Sequence, residues 1–127
     1  MADSFPAQPI TVLASAARTA TNTSAAFDGG GNLFRGLASV INATAETDTA
    51  SVVFTVQHSN DGVTWATSLA GAAVEAIGTQ LLLIHPDVVE TANITESSTA
   101  LAYKYRVLAT HADADSITYS VKVFHLL

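Results

Sequence analysis

The chain contains no cysteine, which removes a disulfide framework, a thiol nucleophile and every thiolate metal site together. Charge is also scarce. Among 127 residues there are 5 basic and 11 acidic ones, 13% in all, for a formal net charge of −6. Cations this few and scattered do not make a nucleic-acid surface, because phosphate contacts need clustered Lys and Arg. Long apolar runs are missing too. None exceeds Leu81-Leu82-Leu83-Ile84, whereas a bilayer-spanning helix needs about 20 apolar residues, so no membrane partner is expected. Met1-Ala2-Asp3-Ser4-Phe5-Pro6 has neither the basic nor the apolar region of a secretory signal peptide. The glycosylation sequons at Asn22, Asn42 and Asn93 matter only in a secretory pathway, and a chain rich in Ser, Thr and Ala produces them by chance.

What is present is apolar residue content, 49% of the chain. That is enough for one hydrophobic core in a chain the length of one ordinary domain. The dominant pattern is alternation. In Ser51-Val52-Val53-Phe54-Thr55-Val56-Gln57-His58 one face collects Val52, Phe54 and Val56, while the other collects Ser51, Thr55 and Gln57, with Val53 as the exception. Ser59-Asn60-Asp61-Gly62 follows as a tight-turn signal, and Val63-Thr64-Trp65 resumes an extended chain, so a hairpin is expected.

Near the C-terminus, Leu101, Tyr103, Tyr105 and Val107 share one side and Lys104 and Arg106 the other. After the polar turn His111-Ala112-Asp113-Ala114-Asp115, the residues Ile117, Tyr119, Val121 and Val123 alternate with Thr118, Ser120 and Lys122. Apolar residues continue through Phe124, Leu126 and Leu127, a pattern expected to be pinned in a sheet or against a neighbouring chain, whose sheet it could complete.

Earlier in the chain, Pro6 and Pro9 mark an arm, Ile10–Leu13 reads as a short strand, and Gly29-Gly30-Gly31 as a flexible connection. Leu33 to Ala45 reads as a central strand covered on both sides, with Leu33, Leu37 and Ile41 opposite Phe34, Ala38 and Val40, and with a bulge at Gly36. Trp65, Leu69, Ala73 and Ile77 fall at four-residue steps and admit a short helix, but Gly71 and Gly78 favour an irregular excursion. Gly78 to His85 returns to strand character, and residues 87–100 form a long polar connection suited to a partner contact. Several short strands separated by turns predict an all-β, single-domain antiparallel sandwich or jelly roll over residues 10–127, preceded by an arm over residues 1–9.

Reactive groupings are sparse. His111, Asp113 and Asp115 could share one face of an extended chain and converge on a cation, but a polar turn accounts for them and their carboxylates are too local for an acid/base pair. Asn60 and Asp61 read as turn chemistry; His58, His85 and His125 are scattered. Trp65, Tyr103 and Tyr105 could stack on a sugar, yet each lies on an apolar strand face and core packing is the expectation. Zincin motifs, a nucleophile elbow and a phosphate-binding loop followed by Lys are all missing. The residues therefore nominate no catalytic, cofactor-binding or metal-binding set, and an enzyme is not expected.

The stretch Val53-Phe54-Thr55-Val56-Gln57-His58-Ser59-Asn60-Asp61-Gly62-Val63-Thr64-Trp65, with the later Tyr103-Lys104-Tyr105-Arg106-Val107-Leu108, resembles small β-sandwich proteins of tailed-bacteriophage virions. In those proteins a strand ending in an Asp-Gly turn leads to Thr-Trp, and a later strand carries an aromatic–Arg–aliphatic series. Discoidin-like galactose-binding jelly rolls show a related hairpin. The resemblance spans residues 33–127 and implies a head decoration, or cement, protein on the outer surface of the capsid. Its implied partners are the major capsid protein and copies of itself, often in trimers, without nucleic acid, membrane or cofactor. The alternative is a carbohydrate- or receptor-binding module of a tail or baseplate. If the arm contributes to attachment, deletion of residues 1–9 leaves the domain folded by circular dichroism but weakens its retention on capsid shells; full retention contradicts this.

Overall fold

The computed structural model describes residues 9–28, 35–87, 95–97 and 103–126. The arm apart from Pro9, the Gly29-Gly30-Gly31 connection and the 87–100 connection apart from residues 87 and 95–97 lie outside them. Among the described residues ten strands run in order: β1 (Ile10–Arg18), β2 (Asn22–Thr23), β3 (Phe27–Asp28), β4 (Gly36–Glu46), β5 (Val52–Ser59), β6 (Ala66–Ala70), β7 (Gly78–Ile84), β8 (Thr95–Ser97), β9 (Lys104–His111) and β10 (Ile117–Leu126).

Their pairing follows from one long folded strip. The expected hairpin is its tip, with β5 and β6 antiparallel on either side of the Asn60-Asp61-Gly62 turn. Moving away from the tip, β4 pairs with β7, β2 with β9 and β1 with β10, all antiparallel. Rolling the strip up adds β10–β4 and β9–β5 pairs. The result is one sheet in the order β1-β10-β4-β7-β8 and another in the order β2-β9-β5-β6, with β3 also on β9. Apart from the short parallel β7–β8 pair, the sheets are antiparallel and pack face to face, an all-β sandwich. With β3 and β8 set aside, this is the eight-strand jelly-roll order.

Alternation decides which side chains fill the space between the sheets. The first sheet contributes Leu37, Ile41, Leu82, Ile84, Tyr119, Val121 and Val123; the second contributes Val52, Phe54, Val56, Tyr105, Val107 and Ala109. Edge-on ring contacts join the layers. Phe54 meets the Tyr119 ring edge-on at 4.8 Å, and Tyr105 meets His125 at 5.6 Å, with a 3.0 Å hydrogen bond between the Tyr105 hydroxyl and His125 Nε2. Edge-on aromatic pairs of this kind add about 0.5–1.5 kcal/mol beyond their buried area.

Several expectations change in detail. β1 extends to Arg18, well beyond a four-residue strand. Residues 66–77 are not helical: Ala66–Ala70 form β6, and then Gly71 N and Val74 N donate to the carbonyls of Phe54 and Val52 at 2.9 and 2.8 Å. Those donors are committed to β5, so no i→i−4 ladder forms. Gly36 does not mark a bulge. It opens β4 where a Cβ would collide with the Ile84 carbonyl and the His85 ring, so only glycine permits that approach. Among the described residues, register shifts lie instead in the β1–β10, β10–β4 and β5–β6 pairings. β10, finally, is held on both sides by β1 and β4 and has no free edge for a neighbour's sheet; it is pinned within its own chain.

The core makes a paired prediction. Phe54→Ala removes a fully buried ring and lowers unfolding free energy by about 3–5 kcal/mol. Ser39 is equally buried, and its hydroxyl has no hydrogen bond among the described residues, so Ser39→Ala is neutral or stabilising by about 1 kcal/mol. Urea unfolding curves measure both; a large loss for Ser39→Ala contradicts the packing described.

Candidate interaction surface

The same alternation that buries one face of the first sheet determines what its other face shows. Across β10, β4 and β7 the register aligns Lys122, Val40 and Leu81 in one row, and Phe124, Ala38 and Leu83 in the next. Strands lie about 4.8 Å apart, so each row spans about 10 Å. Val40 is 46% exposed and Leu81 36%. The expected double coverage of β4 is therefore wrong at Val40, although Ala38 on the same face is half-buried. Pro9, Ala38, Val40, Lys122, Val123 and Phe124 line an open hollow of about 230 Å³. A neighbouring polar hollow of about 260 Å³ shares Val40 and Lys122 and adds Asn42, Thr79 and Ser120. The face thus grades from apolar to polar, with Lys122 at the boundary.

The outer face of the second sheet is chemically different. Arg106 donates to Gln57 Oε1 at 2.8 Å and lies 4.3 Å from the centroid of the Trp65 ring. Lys104 binds Asp28 at 2.8 Å. Core packing holds for Tyr105, whose buried phenol has its pKa pushed far up by desolvation. It fails for Tyr103, which is 57% exposed, and Trp65 is only half-buried. Both precede regular strand geometry, residue 65 in the turn before β6 and residue 103 just ahead of β9. With Tyr105 withdrawn into the core, the three aromatic residues form no shared platform.

The strip's tip also encloses a hollow, about 440 Å³, lined by His58, Ser59, Asn60, Asp61, Thr64 and Ala66. Its Ser59 and Asp61 side chains serve the turn. Asp61 Oδ1 accepts the amides of Val63 and Thr64, each at 2.8 Å, and a 3.0 Å bond from Ser59 Oγ. These bonds hold the carboxyl pKa down to about 2. The Ser59 hydroxyl in turn accepts the Gly62 amide at 2.8 Å, and Gly62 sits at φ 78°, where a side chain would be strained.

The other polar residues singled out in the sequence are engaged separately. His111 Nε2 meets the Tyr119 hydroxyl at 2.9 Å, Asp113 accepts the Asp115 amide, and Asp115 accepts both the amide and hydroxyl of Thr49. The three do not converge on a point, and no group of three or more His, Asp or Glu that could hold a metal occurs among the described residues. One cluster had no sequence signal. Arg18 donates to the carbonyls of Ala14, Ala16 and Tyr119 beside the β1 bulge and lies 4.6 Å from the Tyr119 ring centroid. Asn22 donates to the Tyr119 hydroxyl at 2.7 Å. This knot joins the two sheets at one corner, and only tertiary contact brings its members together.

No family model matches the chain, and no curated protein is similar to it. The class of protein is accordingly the one its architecture defines, a jelly-roll sandwich with Val40 and Leu81 exposed on the outer face of one sheet.

Burial sets a pH dependence. His58, His111 and His125 all have pKa values lowered from 6.5, in each case chiefly by desolvation. His58 Nε2 is buried with no hydrogen bond among the described residues, so a proton there is poorly accommodated. The unfolded chain takes up protons first as pH drops through 6.5, so stability falls from there toward the depressed folded values. Asp61 loses its support only between 3.8 and about 2. The urea midpoint is expected to be flat above pH 7 and to decline by pH 5; a constant midpoint across that range contradicts the burial of these rings.

Proposed function

We propose that this chain is a structural protein of the tailed-bacteriophage virion that decorates the outside of the capsid, binds the lattice of the major capsid protein and reinforces the shell. The observation that carries this reading is the apolar outer face of the first sheet, where exposed Val40 and Leu81 stand beside half-buried Ala38, Leu83 and Phe124. Contiguous exposed apolar surface on a folded domain marks a site of association. The Asp-Gly–Thr-Trp hairpin and the aromatic–Arg strand add the resemblance to virion sandwiches.

A protein of this type works by mass action. Binding the assembled, expanded lattice and not its dissociated subunits shifts the equilibrium toward the intact shell. Specific interfaces bury about 800 Å² per partner, and the solvent-accessible surface here is 6572 Å². That leaves room for a lattice contact on the first sheet and a separate contact between copies, as in a trimer. The jelly roll alone does not select this role, because lectin domains share it.

The test uses purified protein and shells of the major capsid protein that lack it. Saturable co-sedimentation at a stoichiometry matching lattice positions, with a higher melting temperature of the shell, is the expected result. Absence of binding contradicts the proposal, and labelling confined to the tail tip together with glycan binding transfers it to the receptor-binding alternative.

A further inference from the structure

We infer that the outer face of the first sheet docks an apolar segment of a partner protein carrying a carboxylate that pairs with Lys122. The inference deepens the lattice-binding reading and rests on it for the identity of the partner. Its own content is the chemistry of the surface.

The argument begins with the accounting of cations. The chain has 5 basic residues against 11 acidic ones. Arg18 is held by three carbonyls, Arg35 by Asp87 at 3.1 Å, Lys104 by Asp28 at 2.8 Å, and Arg106 by Gln57 and the Trp65 face. Lys122 alone among them has neither a hydrogen bond nor an ion pair among the described residues. Its position explains why. Its cross-strand neighbours are Thr11 on β1 and Val40 on β4, and the same face of β10 carries Ser120 and Phe124 on either side. None of these offers a carboxylate. In a chain with an excess of acid, the one unpaired side-chain cation among the described residues stands at the edge of the apolar hollow, with the polar hollow on its other side.

Charge then discriminates among occupants. Two copies packed face to face about a twofold axis running through Lys122 itself would oppose it with its own counterpart, because groups on the axis of an isologous interface meet themselves. Burying two like charges with no counter-ion is costly. The net charge of −6 repels surfaces that are acidic over a wide area, including nucleic acid and anionic bilayers. The complementary occupant is therefore apolar where it meets Val40, Leu81 and Phe124 and bears a local carboxylate opposite Lys122. A charge pair at the rim of an apolar contact supplies orientation and specificity more than raw affinity.

The experiment compares wild type with Lys122→Glu, Lys122→Met and Val40→Ser, each checked for folding by circular dichroism. Affinity for capsid shells is read by co-sedimentation. Lys122→Glu is expected to weaken binding at least tenfold, and Lys122→Met less, because it keeps the apolar stem. Replacing the facing Asp or Glu of the capsid protein with Lys is expected to recover Lys122→Glu. Wild type and all three variants binding equally overturns the inference while leaving the lattice reading intact. If wild type itself does not bind shells, the lattice reading fails and the surface is tested directly with an apolar anion, 8-anilinonaphthalene-1-sulfonate, by NMR. Shifts confined to residues 38, 40, 81, 122 and 124, and weaker in Lys122→Glu, support the inference; no shifts there overturn it. Self-association in sedimentation velocity that Val40→Ser abolishes also overturns it, in favour of a second copy.

Discussion

The structure depends on the alternation of β10. This strand lies between β1 and β4, and its odd residues Ile117, Tyr119, Val121 and Val123 are all fully buried or nearly so. Because side chains alternate strictly, a one-residue slip would drive Lys122 and Phe124 into the core and bring four core side chains out. No such slip is tolerable, so the inward set fixes the outward set. Register with β4 and β7 then extends that choice across three strands, and the apolar outer face is a direct consequence of a core that could be built in only one way.

The tip of the strip supports this arrangement from the other end. Ser59, Asp61 and Gly62 form a self-contained turn in which a carboxylate and a hydroxyl satisfy four backbone amides. That turn sets how β5 meets β6, and every other pair in the jelly roll follows outward from it. At the opposite corner, Arg18, Asn22, His111 and Tyr119 tie the first sheet to the second. Local turn chemistry closes one end and a tertiary polar knot closes the other, with the Phe54–Tyr119 and Tyr105–His125 contacts between them.

Much of this was legible in advance. The inward faces of β5 and β10, the Asp-Gly hairpin and the all-β class follow from period-two patterning and turn residues. Trp65 and Tyr103 were misplaced because they stand just outside the regular pleat, where alternation carries no information. Val40 was misplaced for a more useful reason. An apolar residue on the outward face of a central strand reads as covered, whereas Val40 is exposed. The jelly-roll order and the Arg18 corner were not legible, since pairing between strands far apart in sequence leaves no local trace. The surface at Val40 and Lys122 could have been noticed as a two-faced strand without a second layer, but only the register placed Lys122 beside it.

Jelly rolls serve shells and lectins alike, and what separates those uses here is a face rather than a motif. The most direct measurement is an electron cryomicroscopy map of shells saturated with the protein, resolved well enough to orient the sandwich. The account predicts that Val40, Leu81, Phe124 and Lys122 lie against the capsid protein, with a carboxylate opposite Lys122. A map in which that face points into solvent while another surface makes the contact would contradict it.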